Sequence, residues 1–155
     1  VRVELKGLDA VITGLGKVEK DLMAKVDKEL QGAALRVVGM AKMRLQPHPG
    51  DSKEVTDEIV SVRQSINFTF DPNKHSVMVF AGNVSDDPIA AYLEFGTGKY
   101  AAKYVKGLPA AFVKLALTFY KNGKGTLREH PFLIPAFLQE GKRLQERLSK
   151  VKIGW

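Results

Sequence analysis

Residues 61–82 read Ser61-Val62-Arg63-Gln64-Ser65-Ile66-Asn67-Phe68-Thr69-Phe70-Asp71-Pro72-Asn73-Lys74-His75-Ser76-Val77-Met78-Val79-Phe80-Ala81-Gly82. From Val62 the apolar period changes to two. Ile66, Phe68 and Phe70 alternate with Asn67 and Thr69, as in a half-buried strand. Asp71-Pro72-Asn73-Lys74 is turn sequence, with the proline presetting its φ angle. Residues 76–81 return as a strand that is apolar on both faces. The stretch therefore predicts a β-hairpin.

Upstream, residues 1–6 set Val1, Val3 and Leu5 against Arg2, Glu4 and Lys6, a third strand pattern that Gly7 ends. Residues 8–15, bounded by Gly14 and Gly16, read as a short helical stretch or turn. Residues 17–45 carry the strongest helical pattern. Val18, Leu22, Val26, Leu30, Ala33, Val37 and Ala41 recur at spacings of three and four, and charged residues occupy the other faces. Such a helix is about 40 Å long. That is more than a compact domain of this size needs, which leaves part of it for another subunit. Pro47-His48-Pro49-Gly50 stops it. Residues 51–58 are polar and acidic and read as a loop with a helical turn.

Downstream, Asp86-Asp87-Pro88 reads as a helix start, with Asp87 as N-cap and Pro88 as first helical residue. A short helix follows over residues 89–95, and Gly96 ends it in the left-handed conformation. Pro109 opens another apolar helix through Phe112, Leu115, Ala116, Phe119 and Tyr120, of which Phe112, Phe119 and Tyr120 suit a buried helix face. Asn122-Gly123-Lys124-Gly125 ends that helix. The last helix starts near Pro135, with Phe137, Leu138, Leu144, Leu148 and Val151 as its stripe. Sheet and helices each need a partner for their apolar face. The order of elements predicts an α+β fold: a short, mostly antiparallel sheet packed against the long N-terminal helix and the C-terminal helix.

The chain has 155 residues, 45% of them hydrophobic. That length fits one domain over 1–155, with a basic insertion at about 99–128. With no cysteine, disulfide scaffolds, thiolate zinc sites and cysteine nucleophiles are excluded. The apolar runs are too short for a membrane span, and the first residues do not read as a signal peptide. The net charge is +7. Lys99, Lys103, Lys106, Lys114, Lys121, Lys124 and Arg128 lie in a 30-residue window without an acid, and the other 17 basic residues balance the 17 acidic ones. The whole net charge therefore belongs to one segment. It points either to a polyanion nearby or to a solvated basic loop.

No catalytic chemistry is legible. Gly16-Lys17, Gly98-Lys99 and Gly123-Lys124 lack both the earlier glycine and the following Ser or Thr of a nucleotide-binding loop. His48, His75 and His130 are far apart in sequence and read as surface or loop histidines, not metal ligands. There is no Gly-x-Ser-x-Gly elbow. Glu94 lies in the last turn of the short helix, where the macrodipole disfavours an acid, so a basic partner or backbone amides must compensate. No catalytic residue, cofactor or metal is expected.

Ala90-Ala91-Tyr92-Leu93-Glu94-Phe95-Gly96-Thr97-Gly98-Lys99-Tyr100, followed by His130-Pro131-Phe132-Leu133-Ile134-Pro135-Ala136-Phe137, resembles the signature of the siphophage tail-completion, or tail-component, family. Gly7-Leu8-Asp9, Pro47 and Arg63-Gln64-Ser65-Ile66 occur in the family's order, so the resemblance covers nearly the whole chain. Two features depart from it. The stretch 51–58 replaces a compact turn containing Thr-Gly, and some 30 residues separate two strings that the family often joins closely.

The resemblance implies a structural virion protein without an active site. It would be made in the host bacterial cytoplasm and built into the phage neck or tail top. It implies a homo-oligomeric ring, usually a hexamer, with DNA passing through the lumen. Its neighbours would be head-closure or connector proteins and a tail terminator or tail tube. Glu94, Phe95, Gly96, Thr97, Pro131, Phe132 and Pro135 would form a structural corner. Lys99, Lys103, Lys106, Lys121, Lys124 and Arg128 are the candidates for non-specific contact with DNA in the lumen. Lys114 fits less well, because it flanks a helix face expected to be buried. The alternative is a stand-alone basic nucleic-acid-binding module, for which Tyr100 and Tyr104 offer stacking rings.

Overall fold

A computed structural model describes residues 1–5, 20–82, 88–118 and 124–151. Strand β1 is Arg2–Leu5, helix α1 Lys20–Arg44, helix α2 Lys53–Ser65, strand β2 Asn67–Asp71 and strand β3 Ser76–Phe80. Helices α3 (Ile89–Phe95), α4 (Lys99–Val105), α5 (Ala110–Thr118) and α6 (Leu133–Lys150) follow. The fold is α+β. Its one described sheet has the order β1-β3-β2, and both pairings are antiparallel.

The register explains which strand residues reach the core. Val3 and Phe68 both face Val79 across the sheet, and Phe70 faces Val77. Val3, Val77 and Val79 are buried, and Phe68 and Phe70 pack half-buried against the same cluster. A side-chain period of two puts these residues on one face. β3 is central, so it meets α1 most directly, which explains its paired buried valines.

Helix α1 is the spine. It buries Leu22, Val26, Leu30, Ala33, Ala34, Val37 and Ala41. The alanines let neighbouring elements approach closely. α6 packs along α1 through Leu133, Ala136 and Leu144. Polar contacts fix that packing as antiparallel. Arg44 donates to Gln139 at 3.0 Å, Arg36 Nε to Glu140 Oε1 at 2.7 Å, and Arg147 lies 3.7 Å from Glu29. Glu140 is fully buried, and Arg147 Nη2 also reaches its Oε1 at 3.2 Å.

Several boundaries differ from the expectation. Residues 53–65 form a helix of 13 residues where only a loop with a helical turn was expected over 51–58. Ser52 is its N-cap, accepting from the Val55 N–H at 3.3 Å. Its buried face is Ile59 and Val62, so Val62 lies in the last turn of a helix that runs to Ser65 and does not start the period-two pattern. The hairpin strand begins at Asn67. α6 starts at Leu133, two residues before Pro135. The expected turn at 8–15, the Gly7-Leu8-Asp9 string and the Asp87 cap lie outside the described residues.

Burial sets an expected contrast within α1. Leu30 is fully buried and Leu35 is 60% exposed. Leu30→Ala should cost about 2–5 kcal/mol, and Leu35→Ala no more than about 0.5 kcal/mol. Urea unfolding of the two variants measures both values.

Candidate nucleic-acid interface

α3 is a short apolar helix that buries Ala90, Ala91, Leu93 and Phe95, and with them Glu94. Its own helix end disfavours a carboxylate by a few tenths of a kcal/mol. The compensation comes from the start of α6. The Phe132 and Leu133 N–H groups donate to Glu94 Oε2 at 2.9 and 2.8 Å, and the Ile134 N–H donates to Oε1 at 3.2 Å. A helix start leaves its first four N–H groups without intrahelical partners. Here the N-cap is Phe132, whose side chain cannot cap. Glu94 takes the first three donors, and the fourth position is Pro135, which has no N–H.

The chain on either side of Glu94 is sewn to the same segment. The His130 N–H donates to the Leu93 carbonyl at 2.6 Å, and the Thr97 N–H to the Leu127 carbonyl at 2.9 Å. The Leu127 N–H returns a bond to Thr97 Oγ1 at 3.0 Å. Gly96 turns the chain between them with φ 73° and ψ −174°. This is a positive-φ conformation with an extended ψ, not the left-handed helical one expected, and it belongs essentially to glycine. A Cβ there would stand 2.9 Å from the Glu129 nitrogen.

Phe95 and Phe132 are fully buried. Phe95 packs with Ala91, Ala116 and Ile134, whereas Phe132 belongs to the main core. Glu94, Phe95, Gly96, Thr97, Pro131, Phe132 and Pro135 thus come together at one corner.

The basic segment rises from this corner. Lys99 and Lys103 lie on α4, and Lys106 follows its last residue. At 100° per residue the three fall within about 60° of one another, on one exposed stripe. Lys124 and Arg128 are exposed on the irregular segment that leads into α6. The Thr97–Leu127 bonds close the base of the segment. Among the described residues, none of these five side chains, nor Lys114, makes an ion pair, although Lys99 Nζ lies 5.2 Å from the centre of the Tyr100 ring. Lys121 lies outside the described residues.

One expectation, at His130, needs correction here. Only part of the expected face of α5 falls within the described residues. Ala116 is buried and Phe112 half-buried, but Leu115 is exposed, as is Leu117; Phe119 and Tyr120 lie outside the described residues. Its inner face rests only on the small cluster around Phe95 and the edge of the main core. His130 is not a surface histidine. It is 2% exposed, hydrogen-bonds Asp51 and stacks on His48, whereas His75 pairs with Asp27 at 2.8 Å. No sequence spacing brings residues 48, 51 and 130 together; only the corner does. Among the described residues no group of three or more ligating side chains could hold a metal.

The chain matches no protein-family model, and no curated protein or solved structure is significantly similar to it.

The corner makes a graded prediction. Glu94→Ala strands three buried N–H groups, each worth about 1–3 kcal/mol. It should therefore destabilise the protein more than Glu94→Gln, which keeps one acceptor oxygen. Phe95→Ala should cost about 3–5 kcal/mol. Thermal melts that rank Gln at or below Ala, or a Phe95→Ala protein of full stability, would contradict the geometry.

Proposed function

We propose that this chain is a structural virion protein of a tailed phage, forming a ring at the neck or tail top. The ring would complete the tail and join it to the head, with DNA passing through its lumen. One observation carries the reading: the surplus cations among the described residues stand exposed and form no ion pair within the described chain. A folded scaffold has no use for them there. A cyclic ring repeats such a patch about one axis and, in this reading, would turn every copy toward it. Six copies would carry about 42 positive charges, a density that phosphate or counterions must relieve.

Two further features support the reading. The corner is built from the two strings on which the family resemblance rests, Glu94 to Thr97 and Pro131 to Pro135. Exposed apolar side chains also remain for contact with other chains, including Leu35 at 60%, Met43 at 70% and Leu117 at 58%. Contacts between Lys99, Lys103, Lys106, Lys124 or Arg128 and DNA would go to phosphate. They would be indifferent to base sequence and weakened by salt.

Electron microscopy of the purified protein at high concentration tests the ring, and isolated subunits would speak against it. A monomer that binds DNA tightly would identify a stand-alone nucleic-acid module instead. The triple variant Lys99→Glu, Lys124→Glu, Arg128→Glu should still form rings. Its DNA affinity should lose salt dependence by about one unit of log–log slope for each contact removed. In assembled particles the lumen reading predicts joined heads and tails that retain or eject DNA poorly. Heads and tails that fail to join would mean that the segment docks on an acidic neighbour. Normal infectivity would leave a solvated loop.

A further inference from the structure

The outer side of α1 carries apolar side chains that no described residue covers. At 100° per residue Leu35, Gly39 and Met43 fall within about 80° of one another, on the side opposite the buried Val26, Leu30, Val37 and Ala41. Leu35 is 60% exposed and Met43 70%. Gly39 lies exposed between them, and a Cβ there would meet nothing within 4 Å. A glycine inside a helix weakens it, and this one makes room for nothing among the described residues. No acid occurs from Leu30 to Gly50, whereas Arg36, Lys42 and Arg44 stand in that stretch. Arg36 and Arg44 turn to α6, where they bond Glu140 and Gln139. Lys42 falls on the outer side and makes no ion pair among the described residues.

The outer side of α2 has the opposite charge. Ile59 and Val62 face the core. That turns Val60, Asp57 and Glu54 outward, within about 120° of one another. The two acids are exposed, as is Glu58, and Val60 is 42% exposed. Glu54 serves the N-terminal end of its own helix, but Asp57 and Glu58 lie beyond the first turn. None of the three acids makes an ion pair among the described residues.

We propose that these two faces meet between copies of this chain. α2 of one copy lies antiparallel on the outer side of α1 of the next, with Val60 seated over Gly39 between Leu35 and Met43, and Asp57 beside Lys42. The inference rests on the ring reading and names the contact that joins neighbours in it.

Charge selects both the occupant and its direction. Lys42 stands three residues after Gly39 and Asp57 three residues before Val60, so each lies about 4.5 Å along its helix from the seat. Opposed directions bring the two together and also set the helix dipoles against each other. A parallel arrangement would put Asp57 beside Arg36, which is already bonded to Glu140. With 13 residues, α2 is about 20 Å long and covers the stretch from Leu35 to Met43 in full. Each copy presents both faces once, so the contact repeats from copy to copy and closes a ring where the rotation allows it.

Sedimentation velocity of the full-length chain over a range of concentrations tests the contact. Lys42→Glu should weaken self-association about tenfold, because like charges then face each other, and adding Asp57→Lys should recover it. Gly39→Gln fills the seat of Val60. It should abolish assembly yet raise the melting temperature of the subunit, since a helix former replaces a glycine over open space. A lowered melting temperature would mean that the chain covers this face itself, and would overturn the proposal. Val60→Lys blocks the other face. Gly39→Gln and Val60→Lys chains should each stay monomeric, but mixed in equal amounts they should pair, because the first keeps its α2 face and the second its α1 face. A mixture that stays monomeric would overturn the proposal. Assembly unchanged by Lys42→Glu or by Gly39→Gln would overturn it too, and would leave the ring standing on another interface. A wild-type chain that is monomeric at every concentration would remove the ring reading and this contact together.

Discussion

The carboxylate of Glu94 holds the start of α6, and most of the remaining geometry depends on that hold. Three buried amides and one proline make up the whole complement of groups at that helix start. With Phe132 at the N-cap, no local side chain could serve them. Each amide left bare would cost about 1–3 kcal/mol, against a total stability of about 5–15 kcal/mol for a domain. The contact also fixes where α6 begins. That sets the rotational phase of its buried stripe, Leu133, Ala136, Glu140 and Leu144, along α1. A shift of one residue would turn each of these by 100° away from its partners.

The same helix pair contains a second buried acid, held in a different way. Glu140 meets Arg36 and Arg147 at 2.7 and 3.2 Å, and Arg143 lies 4.0 Å from its other oxygen. The three guanidinium groups are partly exposed, so water shares the cost of their charge while the carboxylate is shielded. A buried pair of this kind contributes little net stability, but losing one partner is costly. Its clearest effect is on register, because Arg44–Gln139, Arg36–Glu140 and Glu29–Arg147 are met together only in one antiparallel alignment. Glu94 sets the start of α6, and the Glu140 network holds its length against α1.

The fold class was readable because its period signals are strong. The spacing of Leu22, Val26, Leu30, Val37 and Ala41 marks α1, and Phe68 and Phe70 alternate cleanly ahead of the Asp71-Pro72 turn. α2 was obscured by its composition. Val55, Ile59, Val62 and Ile66 do repeat at helical spacing behind a Ser52 cap, but Glu54, Asp57 and Glu58 make the stretch look like a loop. The need of Glu94 for a compensating group was legible from its place at a helix end, and backbone amides were among the possible answers. Which amides was not legible, since they lie 38 to 40 residues away. His130 lies in a loop as read, but its burial was missed for the same reason. Its partners Asp51 and His48 are set by tertiary contact, and a histidine beside a proline has no local mark of burial.

The distribution of charge separates scaffold from surface. Arginines in the scaffold are consumed by it: Arg36, Arg143 and Arg147 converge on Glu140, and Arg63 donates to the Leu45 carbonyl at 2.9 Å. In the basic segment the described cations are five lysines and Arg128, and none of them closes a helix end or bridges two elements through an ion pair. Their mutual repulsion lowers stability unless an anion is near, so the fold gains nothing from keeping them together. The bonds at Thr97, Leu127 and His130 nevertheless hold both ends of that segment against the corner at Glu94. Such anchoring holds the described cations in place, and the proposed contact with a polyanion would make use of it.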